Sequence, residues 1–238
     1  MLLKTIIMSN IAANTKDISH RMKLAAERAG RKEESVKLVA VTKTVDVSRI
    51  KEAIESGIKI IGENRVQEAR EKFEKIGREV EWHLIGHLQT NKVKYIFDIF
   101  SLIHSVDSLP LSEEIQRRGE SKGLKTDILI EVNLSGEKTK FGVLPEKAIG
   151  LIKDISRFKN INIKGLMTIP PFSESPEDSR KYFKMLRMLR NDVQKEGMEM
   201  KELSMGMSND FEVAIEEGST MVRIGTAIFG EPRYSPHE

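Results

Sequence analysis

The sequence predicts a parallel α/β domain closed into a single-domain (β/α)8 barrel, preceded by an extra N-terminal helix. Three observations predict it. Eight short apolar runs recur along the 238 residues, charged amphipathic stretches separate them, and no low-complexity linker divides the chain. Eight such units in roughly 200 residues suit a closed barrel better than an open sheet. No G-x-G-x-x-G turn follows the first run, so the fingerprint of a dinucleotide-binding open sheet is missing.

The elements follow in order. Apolar residues at Ile11, Ile18, Met22 and Ala25, with a stop at Gly30, predict a helix over 11–29. Strands are expected at 37–43, 59–64, 81–87, 100–106, 126–133, 161–169, 202–208 and 221–229. Between them lie helical patterns such as SRIKEAIESG, RVQEAREKFEKIG and PEKAIGLIKDISRF. Several begin after Asn, Ser or Pro and end at Gly, as helix termini do. The stretch 170–178, PPFSESPED, reads as a rim loop or lid. The expected division is an N-terminal extension at 1–8, the barrel at 9–233 and a tail at 234–238, with Met8 as an alternative start.

Composition narrows the function. Acids and bases are interleaved and the formal net charge is only +3. That describes helix surface rather than a nucleic-acid footprint. With no cysteine, disulfides and thiolate chemistry are excluded. No run of 18 apolar residues occurs, and the apolar start MLLKTIIM is too short for a signal peptide, so a cytoplasmic location is expected. Abundant Lys and Glu lean toward a thermophilic source, against which eleven Met residues count.

In a (β/α)8 barrel the chemistry lies at the C-terminal ends of the strands. Lys43 ends the first. Alternation places it on one face with Val39 and Val41, where partial desolvation would favour the neutral amine that attacks an aldehyde; the alternative is a lysine reaching into solvent. Arg223 lies inside the apolar eighth run and needs a partner there, either a carboxylate such as Glu63 or an anion or heterocycle. Gly225 and Thr226 follow it, and strand seven ends in SMGMSND, so both strands that often cradle phosphate carry Gly and hydroxyls. Asn64 is a helix cap or a site residue, and His83 a core histidine or a ring packed on a flat ligand. His83, His87, Glu63 and Glu131 show no metal-binding spacing, so no metal is expected.

The segments KLVAVTKT, GENRVQE, EWHLIGHLQTNK, KGLMTI, LSMGMSND and GSTMVRIGTAIFG, in this order over nearly the whole chain, resemble the pyridoxal phosphate homeostasis proteins. The resemblance implies a barrel like the N-terminal domain of alanine racemase. It implies that Lys43 holds pyridoxal 5′-phosphate as a Schiff base and that Arg223 lies near the pyridine nitrogen. Ser204, Gly225 and Thr226 would hold the phosphate, and Asn64, His83 and Met167 would line the ring. Thr42 stands where many relatives have Ser, and His87 where some have Pro.

The resemblance also implies a role in vitamin B6 homeostasis with little or no turnover, and transfer to pyridoxal phosphate-dependent apo-enzymes. A monomer or weak dimer is expected. Whether the protein is an enzyme stays open. An arginine at the pyridine nitrogen keeps the ring neutral and a poor electron sink. A racemase needs a second acid/base group; Tyr95, Tyr182 and Tyr234 fall in expected helices or the tail, and no second domain is expected. A weak racemase is the alternative to a carrier, and a Schiff-base aldolase using Glu63 or Glu131 is a third reading.

Overall fold

A computed structural model describes residues 11–231. The expected extension at 1–8, the tail at 234–238, Met8 and Tyr234 lie outside the described residues, as do the barrel limits 9 and 233.

Eight parallel strands close in sequence order: β1 (Lys37–Val41), β2 (Ile60–Glu63), β3 (Glu81–Leu84), β4 (Leu102–Val106), β5 (Thr126–Glu131), β6 (Ile161–Met167), β7 (Glu202–Met207) and β8 (Met221–Ile224). The ring is sealed where Lys37 to Ala40 pair with Met221 to Ile224. Around it run α2 (Val47–Glu55), α3 (Val66–Ile76), α4 (Leu109–Lys122), α5 (Pro145–Ile155), α6 (Arg180–Lys195) and α7 (Phe211–Glu216). Between β3 and β4 the chain makes only a 3-10 segment, Thr90–Tyr95. The eighth strand is shorter than expected. It stops at Ile224, and Gly225 caps a single helical turn, α8 (Thr226–Phe229).

The additional helix α1 (Ile11–Arg28) buries Ile11, Ile18, Met22 and Ala25, the stripe that predicted it. It is tied to the barrel at two points. Asn14 donates to the carbonyl of Ile228 at 2.9 Å, and Arg21 makes two bonds of 3.2 Å to Glu212 on α7.

Strand alternation divides the apolar residues into two cores. Ile61, Leu84, Ile103, Ile128, Leu166 and Val222 face the helices. Val39, Ile60, Leu102, Leu129, Met167 and Met221 fill the barrel interior, with Ile85 just beyond β3. β6 changes phase between its ends. Ile161 faces the helices, yet so does Leu166, five residues on. Pairing with β5 slips between Ile163 and Gly165, leaving Lys164 as an extra residue, the signature of a bulge. Above the slip β6 is pinched against β7. A Cβ on Gly165 would lie 1.8 Å from the carbonyl oxygen of Glu202.

Gly165→Ala is therefore expected to destabilise by more than about 3 kcal/mol, beyond ordinary overpacking, because the obstacle is backbone. Gly150→Ala on exposed α5, where a Cβ meets nothing within 4 Å, should instead stabilise by about 0.5–1 kcal/mol. Urea denaturation of both variants measures the contrast, and equal effects would refute the pinch.

Candidate functional site

The first turn beyond β1 carries Lys43, which is exposed at the mouth of the barrel. The following residue, Thr44, has φ of 59°, a conformation that a β-branched residue adopts at a cost of about 1–3 kcal/mol. The turn is held from both sides. The amide of Thr44 donates to Glu68 Oε1 at 2.7 Å, its hydroxyl donates to the Lys43 carbonyl at 2.7 Å, and the amide of Val45 reaches the Thr42 carbonyl at 3.0 Å. Beneath it, buried Lys72 on α3 donates to the Thr42 carbonyl at 2.6 Å and to Glu63 and Glu68 at 2.7 Å each. All three ammonium hydrogens are thereby used. Glu63 also accepts from the Thr42 hydroxyl at 2.6 Å. Burial pushes its carboxyl above the ordinary range, while Lys72 and Thr42 pull it back.

Glu63 thus serves this clamp and does not pair with Arg223. The Arg223 side chain is buried inside the barrel, where its guanidinium donates to Ser204 Oγ at 2.6 Å and to the Thr168 carbonyl at 2.9 Å. Among the described residues no carboxylate lies within ion-pair distance of it. Burial lowers its pKa to about 10, partly offset by the fields of Glu131 and Asp210. From Ser204 the contacts continue downward. Ser204 Oγ lies 2.9 Å from His104 Nδ1, and His104 Nε2 lies 3.0 Å from His83 Nδ1. Burial pushes His83 down to about 3, and holds His104 well below the usual imidazole range with the help of His83 and Arg223.

Two expected site residues therefore stand elsewhere. His83 is the third residue of β3, near the floor. It lines a cavity of about 650 Å³ at the strand N-termini with Lys37, Glu81, Asp127, Glu202 and Met221. Ser204 is the third residue of β7 and is wholly buried under Arg223. Because a barrel strand climbs about 3.3 Å per residue, the residue of the SMGMSND run that reaches the mouth is Ser208. Its hydroxyl faces the amides of Gly225 at 3.4 Å and Ala227 at 3.3 Å. The signal for it was present as a second serine in the same run.

The remaining expected residues do lie toward the mouth. Gly225 packs so closely on β1 that a Cβ would sit 3.3 Å from Val41, and Thr226 beside it is exposed. Met167 ends β6 and is buried in the inner core. Asn64 precedes α3, whose N-cap is Arg65, so it is not the cap. It lines a cleft of about 410 Å³ with Gln67, Gly86, His87 and Lys92. His87 stacks on Phe141 from the loop after β5, with centroids 3.8 Å apart and planes 10° apart. The 170–178 loop is pinned by Asn209, which donates to the Ser173 carbonyl at 3.0 Å, and it exposes Phe172. Among the described residues no group of three or more His, Asp and Glu side chains is placed to hold a metal ion. No described helix is long and apolar enough to cross a membrane.

A closed barrel with a lysine at its mouth, a buried arginine below and the amides of Gly225 and Ala227 turned to a serine hydroxyl beyond β8 defines a class, the alanine racemase N-terminal type. Residues 13–232 match the family described as alanine racemase, N-terminal domain. Alanine racemase of Clostridium difficile superposes with a TM-score of 0.73 at 18% identity, over 94% of this chain and 58% of that one, which speaks to the fold. PipY of Synechococcus elongatus, solved with PLP bound, superposes at 0.78 with 34% identity over 90% of this chain and all of that one. The pyridoxal phosphate homeostasis protein of Aquifex aeolicus is 50% identical over 219 residues, 91% of this chain and 96% of that protein. The chain belongs to the pyridoxal phosphate homeostasis protein family.

Glu131, buried at the top of β5, supplies a pH test. Burial and Asp107 raise its pKa to about 7, against the opposing field of Arg223. A raised carboxyl keeps in the folded state a proton that the unfolded chain loses near the ordinary glutamate value of 4.5. Its contribution is present below that pH and is lost as pH rises to about 7. Glu131→Gln should therefore gain on the parent between these limits, by on the order of 3 kcal/mol, and the gap should then flatten. Stability curves at stepped pH measure it, and a gap independent of pH would refute the buried acid.

Proposed function

We propose that this protein binds pyridoxal 5′-phosphate through a Schiff base on Lys43 and acts in cytoplasmic vitamin B6 homeostasis as a carrier with little turnover. The single observation that carries the reading is Arg223, a buried guanidinium held, among the described residues, by neutral acceptors alone. Such a group suits an uncharged acceptor, and a pyridine nitrogen is one. Its spare N–H groups need a partner, since a buried donor left unsatisfied is costly. The amides of Gly225 and Ala227, which now face Ser208, suit a phosphate. Together with the exposed amine of Lys43, these residues offer one group for each end of the cofactor. Its aldehyde supplies the electrophile, and Lys43 supplies the amine.

Asn64, Met167 and Thr226 complete the proposed site, with Ser208 in the phosphate role earlier expected of Ser204. Family membership and the PLP-bound PipY structure support the same reading. Transfer to pyridoxal phosphate-dependent apo-enzymes, by a monomer or weak dimer, belongs to this proposal. Catalysis of racemisation would need a second acid/base group over the mouth. Tyr95 lies in the outer 3-10 segment under Arg70, and Tyr182 lies on α6 against the outer core. The aldolase reading loses Glu63, which faces Lys72.

Protein mixed with pyridoxal phosphate should gain a visible band that borohydride abolishes, with the label mapping to Lys43. Ser208→Ala should release the cofactor roughly tenfold faster, the usual effect of losing a hydrogen bond to a charged group. A colourless protein that takes up no cofactor would overturn the reading. Incubation with L- and D-alanine in deuterated water separates carrier from racemase, because α-deuterium exchange at enzymic rates would establish the enzyme.

A further inference from the structure

The described hydrogen bonds inside the barrel have a direction, and arginine sets it. A guanidinium only donates, so Ser204 Oγ accepts from Arg223. The serine hydroxyl hydrogen must then go to an acceptor. Among the described residues the one acceptor within reach of Ser204 Oγ is His104 Nδ1, 2.9 Å away. His104 Nδ1 is therefore bare, and its proton sits on Nε2, which donates to His83 Nδ1 at 3.0 Å. His83 in turn carries its proton on Nε2, which faces the floor cavity 3.7 Å from Glu81 Oε2. Four groups from β8, β7, β4 and β3 thus donate in one sense, from the mouth toward the floor.

We propose that His104 is a positioning residue, which acts through Ser204 to hold the Arg223 guanidinium as an oriented donor toward the ring nitrogen of the cofactor, with His83 fixing the tautomer of His104. The geometry explains why two imidazoles and a hydroxyl are buried beside the apolar inner cluster. Without His104 the hydroxyl of Ser204 has no described acceptor, and a rotated hydroxyl would turn its hydrogen toward the arginine. The Thr168 carbonyl would then be the sole described partner of the guanidinium, leaving it free to pivot about that contact. The fields that lower the two rings come from Lys37 on β1 for His83 and from His83 and Arg223 on β8 for His104, and Glu81 on β3 lies 3.7 Å from His83 Nε2.

This proposal rests on the cofactor reading above, and its test separates the two. In the cofactor-free full chain labelled with 15N-histidine, His104 and His83 should both appear at pH 7 as neutral rings protonated on Nε2. An imidazolium, or a proton on His104 Nδ1, would overturn the proposal without any variant. With pyridoxal phosphate carrying 15N in its ring, Ser204→Ala and His104→Phe should each move the ring-nitrogen resonance and speed cofactor release about tenfold, while the borohydride label still maps to Lys43. A purely structural role would lower stability and leave that resonance in place, which would overturn the proposal while the cofactor reading stands. If the parent protein takes up no pyridoxal phosphate, both readings fall. Should neither variant fold, the tautomers of the parent decide.

Discussion

A guanidinium that donates hydrogen bonds and accepts none organises the interior of this barrel. Burying Arg223 without a carboxylate forces every nearby polar group to present a lone pair to it or to another member of the same chain. That requirement reaches Ser204, then His104, then His83, while burial holds both imidazoles below the usual range. The aliphatic inner core of Val39, Leu129, Met167 and Met221 packs around this polar column and keeps water from competing with it. Glu131 stands near enough for the arginine's field to oppose its rise, yet not as an ion-pair partner. The inner face of the barrel therefore keeps Arg223 poised for a neutral acceptor at the mouth.

The clamp around Lys72 does different work on the other side of β1. There the ammonium of Lys72 is fully satisfied by two carboxylates and a carbonyl. Removing one partner from such a buried cluster exposes the others to an uncompensated charge. Its effect is to hold Thr44 in a backbone region it would not choose and so to set where the chain leaves β1. Both clusters sit on strands next to the same turn. One fixes the root of Lys43 and the other faces the space above the inner core.

Strand order and fold class were legible because apolar runs and charged helical stretches alternate without interruption. The N-terminal helix was legible from a single stripe, Ile11, Ile18, Met22 and Ala25. What alternation does not encode is height. It places Ser204 and His83 on the inner face but cannot say that each is the third residue of its strand, well below the mouth. Strand ends read up to five residues too long added to this. The eighth run is the clearest case: GTAIF continues its apolar pattern, but Gly225 ends the strand and starts a helical turn. Partnership was equally hidden. Glu63 and Lys72 lie nine residues apart in sequence, and nothing local marks Lys72 as the cation that takes Glu63 from Arg223. Lys43 was expected to be partly desolvated, and it is exposed.

β6 behaves as the seam of the barrel. Below the extra residue Lys164, its odd-numbered residues face the helices; above it, the even-numbered Leu166 does, and Met167 turns inward. The two ends of the molecule are thus written in different phases along one strand. Lys164 is turned out to meet Asp127 at 3.2 Å, so the slack is taken up at the surface rather than in the packed interior. The register of the floor and the register of the mouth thus meet at one surface lysine, and the inner face above it keeps its own phase.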